Sequence, residues 1–164
     1  MRFAIVGGVA MAAHRGRIQT PRDLDIVASH SSENHRRLAE ALAAITALWF
    51  PDTEVEWRAV RRGEAVVLAN RYFSIHILGP TLPAPGIALS GPLREALVGD
   101  VDWMVVDRTL APIASAKSLI RMKAGSERPQ DWADVLQLES VRRHPSRTRR
   151  RNSNIVSAET GRRS

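Results

Sequence analysis

The segment Asp23–Ala28, DLDIVA, limits the fold more tightly than any other stretch of the chain. Polar and apolar residues alternate along it, as they do in a half-buried strand. Residues two apart on a strand point the same way, so Asp23 and Asp25 share one face. Leu24 and Ile26 then enter the core from the other. Short β-like runs alternate with helical patterns around this strand. Phe3–Val6 is a brief apolar strand that ends at Gly7 and Gly8, and residues 9–14 read as helix.

Further along, residues 33–50 are amphipathic, with Leu38, Leu42, Ile45 and Leu48 at helical spacing and Pro51 as a stop. Residues 64–70 and 72–78 read as two paired strands, and the Pro- and Gly-rich range 79–91 reads as loop. Residues 93–98 form a short helix, Val101–Val106 a final strand, and residues 115–123 and 130–138 two helices joined around Arg128 and Pro129. The expectation is an α/β (α+β) domain over residues 1–141, a mixed β-sheet flanked by helices, with helices at its C-terminal end.

Charge separates this body from the C-terminal tail. The chain of 164 residues carries 24 Lys and Arg against 17 Asp and Glu, a formal charge of +7. Residues 142–164 hold eight arginines and one acid, leaving 16 basic and 16 acidic residues in the body. The tail has little apolar content and no period, so it reads as a disordered Arg-rich extension. Clustered arginines bind phosphates without needing a fold, and the absence of aromatic residues there limits it to non-specific contact. Cysteine is absent, which excludes disulfides, thiolate zinc sites and a cysteine nucleophile. The most apolar stretch, residues 41–50, is ten residues long, half of the about 20 that cross a bilayer. The expectation is a cytoplasmic protein with no membrane association.

The chemistry concentrates near the N-terminus. Two carboxylates side by side on one strand face repel each other, and a bridging cation relieves the repulsion. Carboxylate oxygens suit Mg²⁺, which takes one or two of them together with substrate phosphates. Gly7 and Gly8 sit where a strand hands over to a helix, with 14 residues between Gly8 and Asp23. Without side chains there, phosphate oxygens can approach backbone N–H groups at the positive end of the helix. A phosphate cradle facing a metal-binding pair is the outline of a nucleotide site.

At these residues the chain resembles a known group. The segment IVGGVAMAAHRGRIQTPRDLDIV is similar to the signature of minimal nucleotidyltransferases of the DNA polymerase β superfamily, in particular the AbiEii-type toxin nucleotidyltransferases. The later segment SLIRMKAGSERPQDWADVLQL resembles the C-terminal helical stretch of that group. The resemblance implies transfer of a nucleoside monophosphate from a nucleoside triphosphate to a hydroxyl, with Mg²⁺ or Mn²⁺ as cofactor. It implies a catalytic and metal-binding role for Asp23 and Asp25, and nucleotide contacts at Gly7, Gly8, Arg17, Lys123 and Arg128. Asp131 and Asp134, three apart on one helix face, are read as structural, pairing with Arg128 or capping the helix. The acceptor is a tRNA end or other RNA, a protein hydroxyl or a small molecule, and an antitoxin is the implied protein partner.

The sequence departs from that pattern at two places. Active members carry a third carboxylate on the strand beside the Asp-x-Asp strand, and here the matching run reads Ile75-His76-Ile77. His76 is either a replaced catalytic ligand or an ordinary half-buried histidine, with Glu56 and Glu64 as alternative third acids. If no acid serves, the fold becomes a degenerate member that binds a nucleotide or partner without turnover. Members usually begin with a helix before the first strand, whereas the strand here opens at residue 2 or 3. The expectation is either truncation at that end or another surface over the strand, and an exposed sheet face would favour a homodimer. Deleting residues 142–164 is expected to lower RNA affinity and flatten its salt dependence while leaving nucleotide binding intact, as read by filter binding across a salt series. Unchanged RNA affinity would leave the charge without a function.

Overall fold

The computed structural model describes residues 1–16, 21–79, 89–106 and 108–143. Among them lie six strands and six helices: β1 (Phe3–Val6), α1 (Gly7–Arg15), β2 (Asp23–Ala28), α2 (Ser32–Trp49), α3 (Trp57–Arg62), β3 (Val66–Ala69), β4 (Ser74–Leu78), α4 (Gly91–Gly99), β5 (Val101–Val106), β6 (Thr109–Ala114), α5 (Ala116–Lys123) and α6 (Pro129–Arg143). The strands form one mixed sheet in the order β3-β4-β2-β1-β6-β5. β1 runs antiparallel to β2 and parallel to β6, while β2 and β4 are parallel. Arg17 and the tail from residue 144 onward lie outside the described residues, as does most of the expected loop over 79–91.

Both faces of the sheet are covered. Val27 and Ala28 are neighbours on β2 yet pack into different apolar clusters, as do Ile77 and Leu78 on β4. Adjacent strand residues point to opposite faces. One cluster joins β1 and β6 to side chains of α1, α4, α5 and α6; the other joins β3 and β4 to α2 and α3. Serine side chains set three helix starts. Ser31 accepts from the Asn34 N–H, Ser90 from Leu93 and Ser115 from Ser118, each satisfying a backbone donor that has no partner within the helix.

Several expectations need correction. Val101–Val106 is not the last strand, because β6 follows and pairs with it. Pro112, which has no backbone N–H, sits inside β6 opposite Trp103, and a proline in such a run argues against a strand. The short helix α3 lies in a stretch where none was expected. Of the four apolar positions on α2, Leu38 and Leu42 are buried, but Ile45 and Leu48 are 36% and 78% exposed. An 18-residue helix is about 27 Å long and overshoots strands of four to six residues. Nor is β1 exposed: it lies between β2 and β6 with Ala4 and Val6 fully buried, so the ground for expecting a homodimer through this strand falls away. The last helix, α6, runs on to Arg143, and its final arginines favour the negative end of the helix.

Buried charges hold the C-terminal helices against α1. The Lys123 ammonium bonds to Asp131 and lies 2.9 Å from Asp134 Oδ2, and Arg15 reaches the other Asp134 oxygen at 2.5 Å. Ser126 Oγ donates to Asp131 at 2.6 Å. Burial pushes the Asp131 carboxyl up, but the hydrogen bonds from Lys123 and Ser126 outweigh it and hold the group below its ordinary range. His14 Nε2–H donates to the Ala114 carbonyl at 2.8 Å, tying α1 to the end of β6. Removing one member of a buried ion network leaves an uncompensated charge. Asp131→Ala is therefore expected to destabilise the fold by about 3–5 kcal/mol, read by urea unfolding. A loss below about 0.5 kcal/mol would show that the network holds nothing together.

Candidate metal and nucleotide site

The site is built where β1 hands the chain to α1. Val6, the last residue of β1, lies opposite Asp25 on β2, and Asp25 lies opposite His76 on β4. These facing positions bring Asp25 beside both the first turn of α1 and the histidine. Asp23 sits opposite Ser74 in the same register. Ile75-His76-Ile77 is thus the run beside the Asp-x-Asp strand, and no carboxylate occupies that position.

Gly7 opens α1 with φ of +64°, a left-handed conformation that side-chain-bearing residues rarely adopt. A Cβ added to it would fall 1.9 Å from Asp25 Oδ2. Both the backbone and the carboxylate therefore require glycine. Gly8 differs: a Cβ there would meet Pro21 at 3.6 Å and Asp23 Oδ1 at 4.0 Å, ordinary contact distances. Val6 is the N-cap of α1 and supplies no side-chain cap, so the first N–H groups of the helix receive no side-chain oxygen from the capping position.

Asp25 is held from two sides. Its Oδ2 lies against Gly7, and its Oδ1 is 3.1 Å from His76 Nδ1. Burial, reinforced by the nearby Asp23 charge, pushes its carboxyl above the ordinary range, with His76 and Lys123 opposing the shift. Asp23, Asp25 and His76 each offer one ligand atom, and these atoms lie within 4.8 Å of one another. Such a group could hold a metal ion: two carboxylate oxygens and one imidazole nitrogen are hard-to-borderline donors. All three residues are half-buried, so the group is reachable from outside.

The other expected contacts lie elsewhere. Lys123 is buried and its charge is taken up by Asp131 and Asp134, so it acts on Asp25 through space. Arg128 is exposed, 3.8 Å from Asp131 Oδ2. Glu56 caps α3 and Glu64 pairs with Arg62, so neither serves as the third acid. A cavity of about 710 Å³ between α2 and α3, lined by Arg36, Ala39, Trp57 and Arg61 among others, contains none of the three ligating residues. Strand pairing sets Ser74 opposite Asp23 and Val67 opposite His76.

No model of a known protein family matches the chain, and no curated protein matches it.

The raised Asp25 carboxyl has a consequence for stability. Below its ordinary value of 3.8 the group is protonated in both folded and unfolded chains. As pH rises through the higher folded value, ionising the half-buried group costs stability. In metal-free protein Asp25→Asn is therefore expected to raise Tm at neutral pH, with the gain fading below about pH 4. A variant no more stable than the parent at pH 7 would mean that the Asp25 charge is already compensated.

Proposed function

We propose that this protein is a divalent-metal-dependent nucleotidyltransferase, related to the minimal nucleotidyltransferases of the DNA polymerase β superfamily. The observation that carries the reading is the contact of Asp25 with Gly7: the Asp-x-Asp strand and the opening turn of α1 meet at one point. Asp23 and Asp25 hold Mg²⁺ or Mn²⁺, with His76 beside them. When bound, the ion polarises the α-phosphate and neutralises charge on the leaving group. The chain's own part is to position. The α1 N-terminus directs backbone N–H groups toward the triphosphate, and Gly7 leaves room for Asp25 to lie against that turn. The acceptor oxygen bonds to the α-phosphorus, the bond to the bridging oxygen breaks, pyrophosphate departs and the acceptor proton passes to solvent.

RNA is the proposed acceptor class, recruited by the arginines of residues 144–164, and an antitoxin protein is the proposed partner. A second reading has an observation of its own: His76 stands in the register position where a third carboxylate would complete an active centre. On that reading the protein binds nucleotide without turnover.

Incubating the protein with each α-labelled nucleoside triphosphate, Mg²⁺ or Mn²⁺, and total RNA with lysate separates the two. Transfer of label, reduced at least about 100-fold in Asp23→Ala/Asp25→Ala, is the expected result. Nucleotide-dependent thermal stabilisation without transfer would favour the degenerate reading. Neither effect in any metal would overturn both.

A further inference from the structure

We infer that His76 is itself a metal ligand, and that the Asp23–Asp25–His76 group selects a first-row transition-metal dication over Mg²⁺. The inference deepens the proposed function and rests on the metal site of that reading, not on its transfer chemistry.

The pairing of β2 with β4 sets His76 beside Asp25, and its Nδ1 lies 3.1 Å from Asp25 Oδ1. Neighbouring ligands of a six-coordinate ion with bonds of about 2.1 Å lie about 3 Å apart. In the metal-free protein the two atoms share a hydrogen bond, and their separation also equals that of adjacent ligands on one small cation, which would replace the bridging proton. The other oxygen of Asp25 packs against Gly7. Asp23, two residues before it on the same face, completes a set whose ligand atoms span no more than 4.8 Å.

Donor chemistry then decides the ion. Mg²⁺ prefers oxygen, demands near-ideal octahedral geometry and releases its waters reluctantly. Replacing a third carboxylate by neutral imidazole removes one negative charge and supplies a nitrogen, so the electrostatic attraction that favours Mg²⁺ falls. Imidazole bonds favourably to first-row transition ions, whose affinity for a site with nitrogen and oxygen donors rises from Mn²⁺ through Co²⁺. Glu56 and Glu64, engaged elsewhere, do not restore the missing charge.

The test is calorimetric titration of chelator-stripped full-length protein with Mg²⁺, Mn²⁺ and Co²⁺, alongside nitrogen hyperfine coupling in pulsed paramagnetic resonance of the Mn²⁺ form. Mn²⁺ and Co²⁺ should bind at least about tenfold more tightly than Mg²⁺, and Mn²⁺ should show coupling to one imidazole nitrogen. His76→Ala should abolish that coupling and cost the transition ions about tenfold while changing Mg²⁺ affinity by less than about twofold. His76→Asp, which restores a carboxylate, should shift preference back toward Mg²⁺ and covers the case in which the alanine variant fails to fold. Equal affinity for Mg²⁺ and Mn²⁺, or coupling that survives in His76→Ala, would overturn the inference. Selective binding without label transfer would overturn only the transferase reading. Transfer that runs equally in Mg²⁺ and Mn²⁺ and survives in His76→Ala would overturn only this one.

Discussion

The carboxylate of Asp25 rests against the α-carbon of Gly7 so closely that no side chain fits between them. That contact fixes the entry of α1 relative to β2, since Gly7 is at once the residue after β1 and the first of the helix. Alanine there would face a forced left-handed backbone, costing on the order of 1 kcal/mol, and a collision with a carboxylate. The helix would tilt, or Asp25 would leave its place beside His76. The ligand group, the turn and the central strand pair thus share one geometric condition.

A second arrangement keeps α1 in position from its other end. His14 is bound to β6, and Arg15 reaches Asp134 on α6, itself paired with Lys123 of α5. Ion pairs buried to this degree contribute less to net stability than their attraction suggests, because desolvation opposes it. Their geometric demands are strict, however, and they dock three helices in one relation. Lys123 completes this network and also moderates the cost of the Asp25 charge. One cation serves the scaffold and, at a distance, the site.

Much of this was legible in the residues. The alternation in DLDIVA assigned Asp23 and Asp25 to one face, and the boundaries of β1, β2 and β5 match the apolar runs. Asp131 and Asp134 are structural, as their helix spacing suggests, but their close partner is Lys123, whereas Arg128 stays 3.8 Å from Asp131. What failed did so for identifiable reasons. Pro112 disguised β6, and helical period alone did not reveal that Ile45 and Leu48 extend beyond the sheet. Lys123 looked like a free cation because its two acids lie eight and eleven positions away, on the next helix.

The sequence alone determined the local matters: which residues alternate, that two carboxylates share a strand face, and that the excess charge gathers after residue 141. These depend on neighbours within a few positions, so they are written in the order of residues. Tertiary structure alone decided that Asp25 meets Gly7 and His76 rather than a third acid, and that Lys123 is spent inside the fold. Those outcomes depend on strand pairing and helix docking between segments far apart in the chain. A one-residue slip of β4 would have turned His76 to the opposite face.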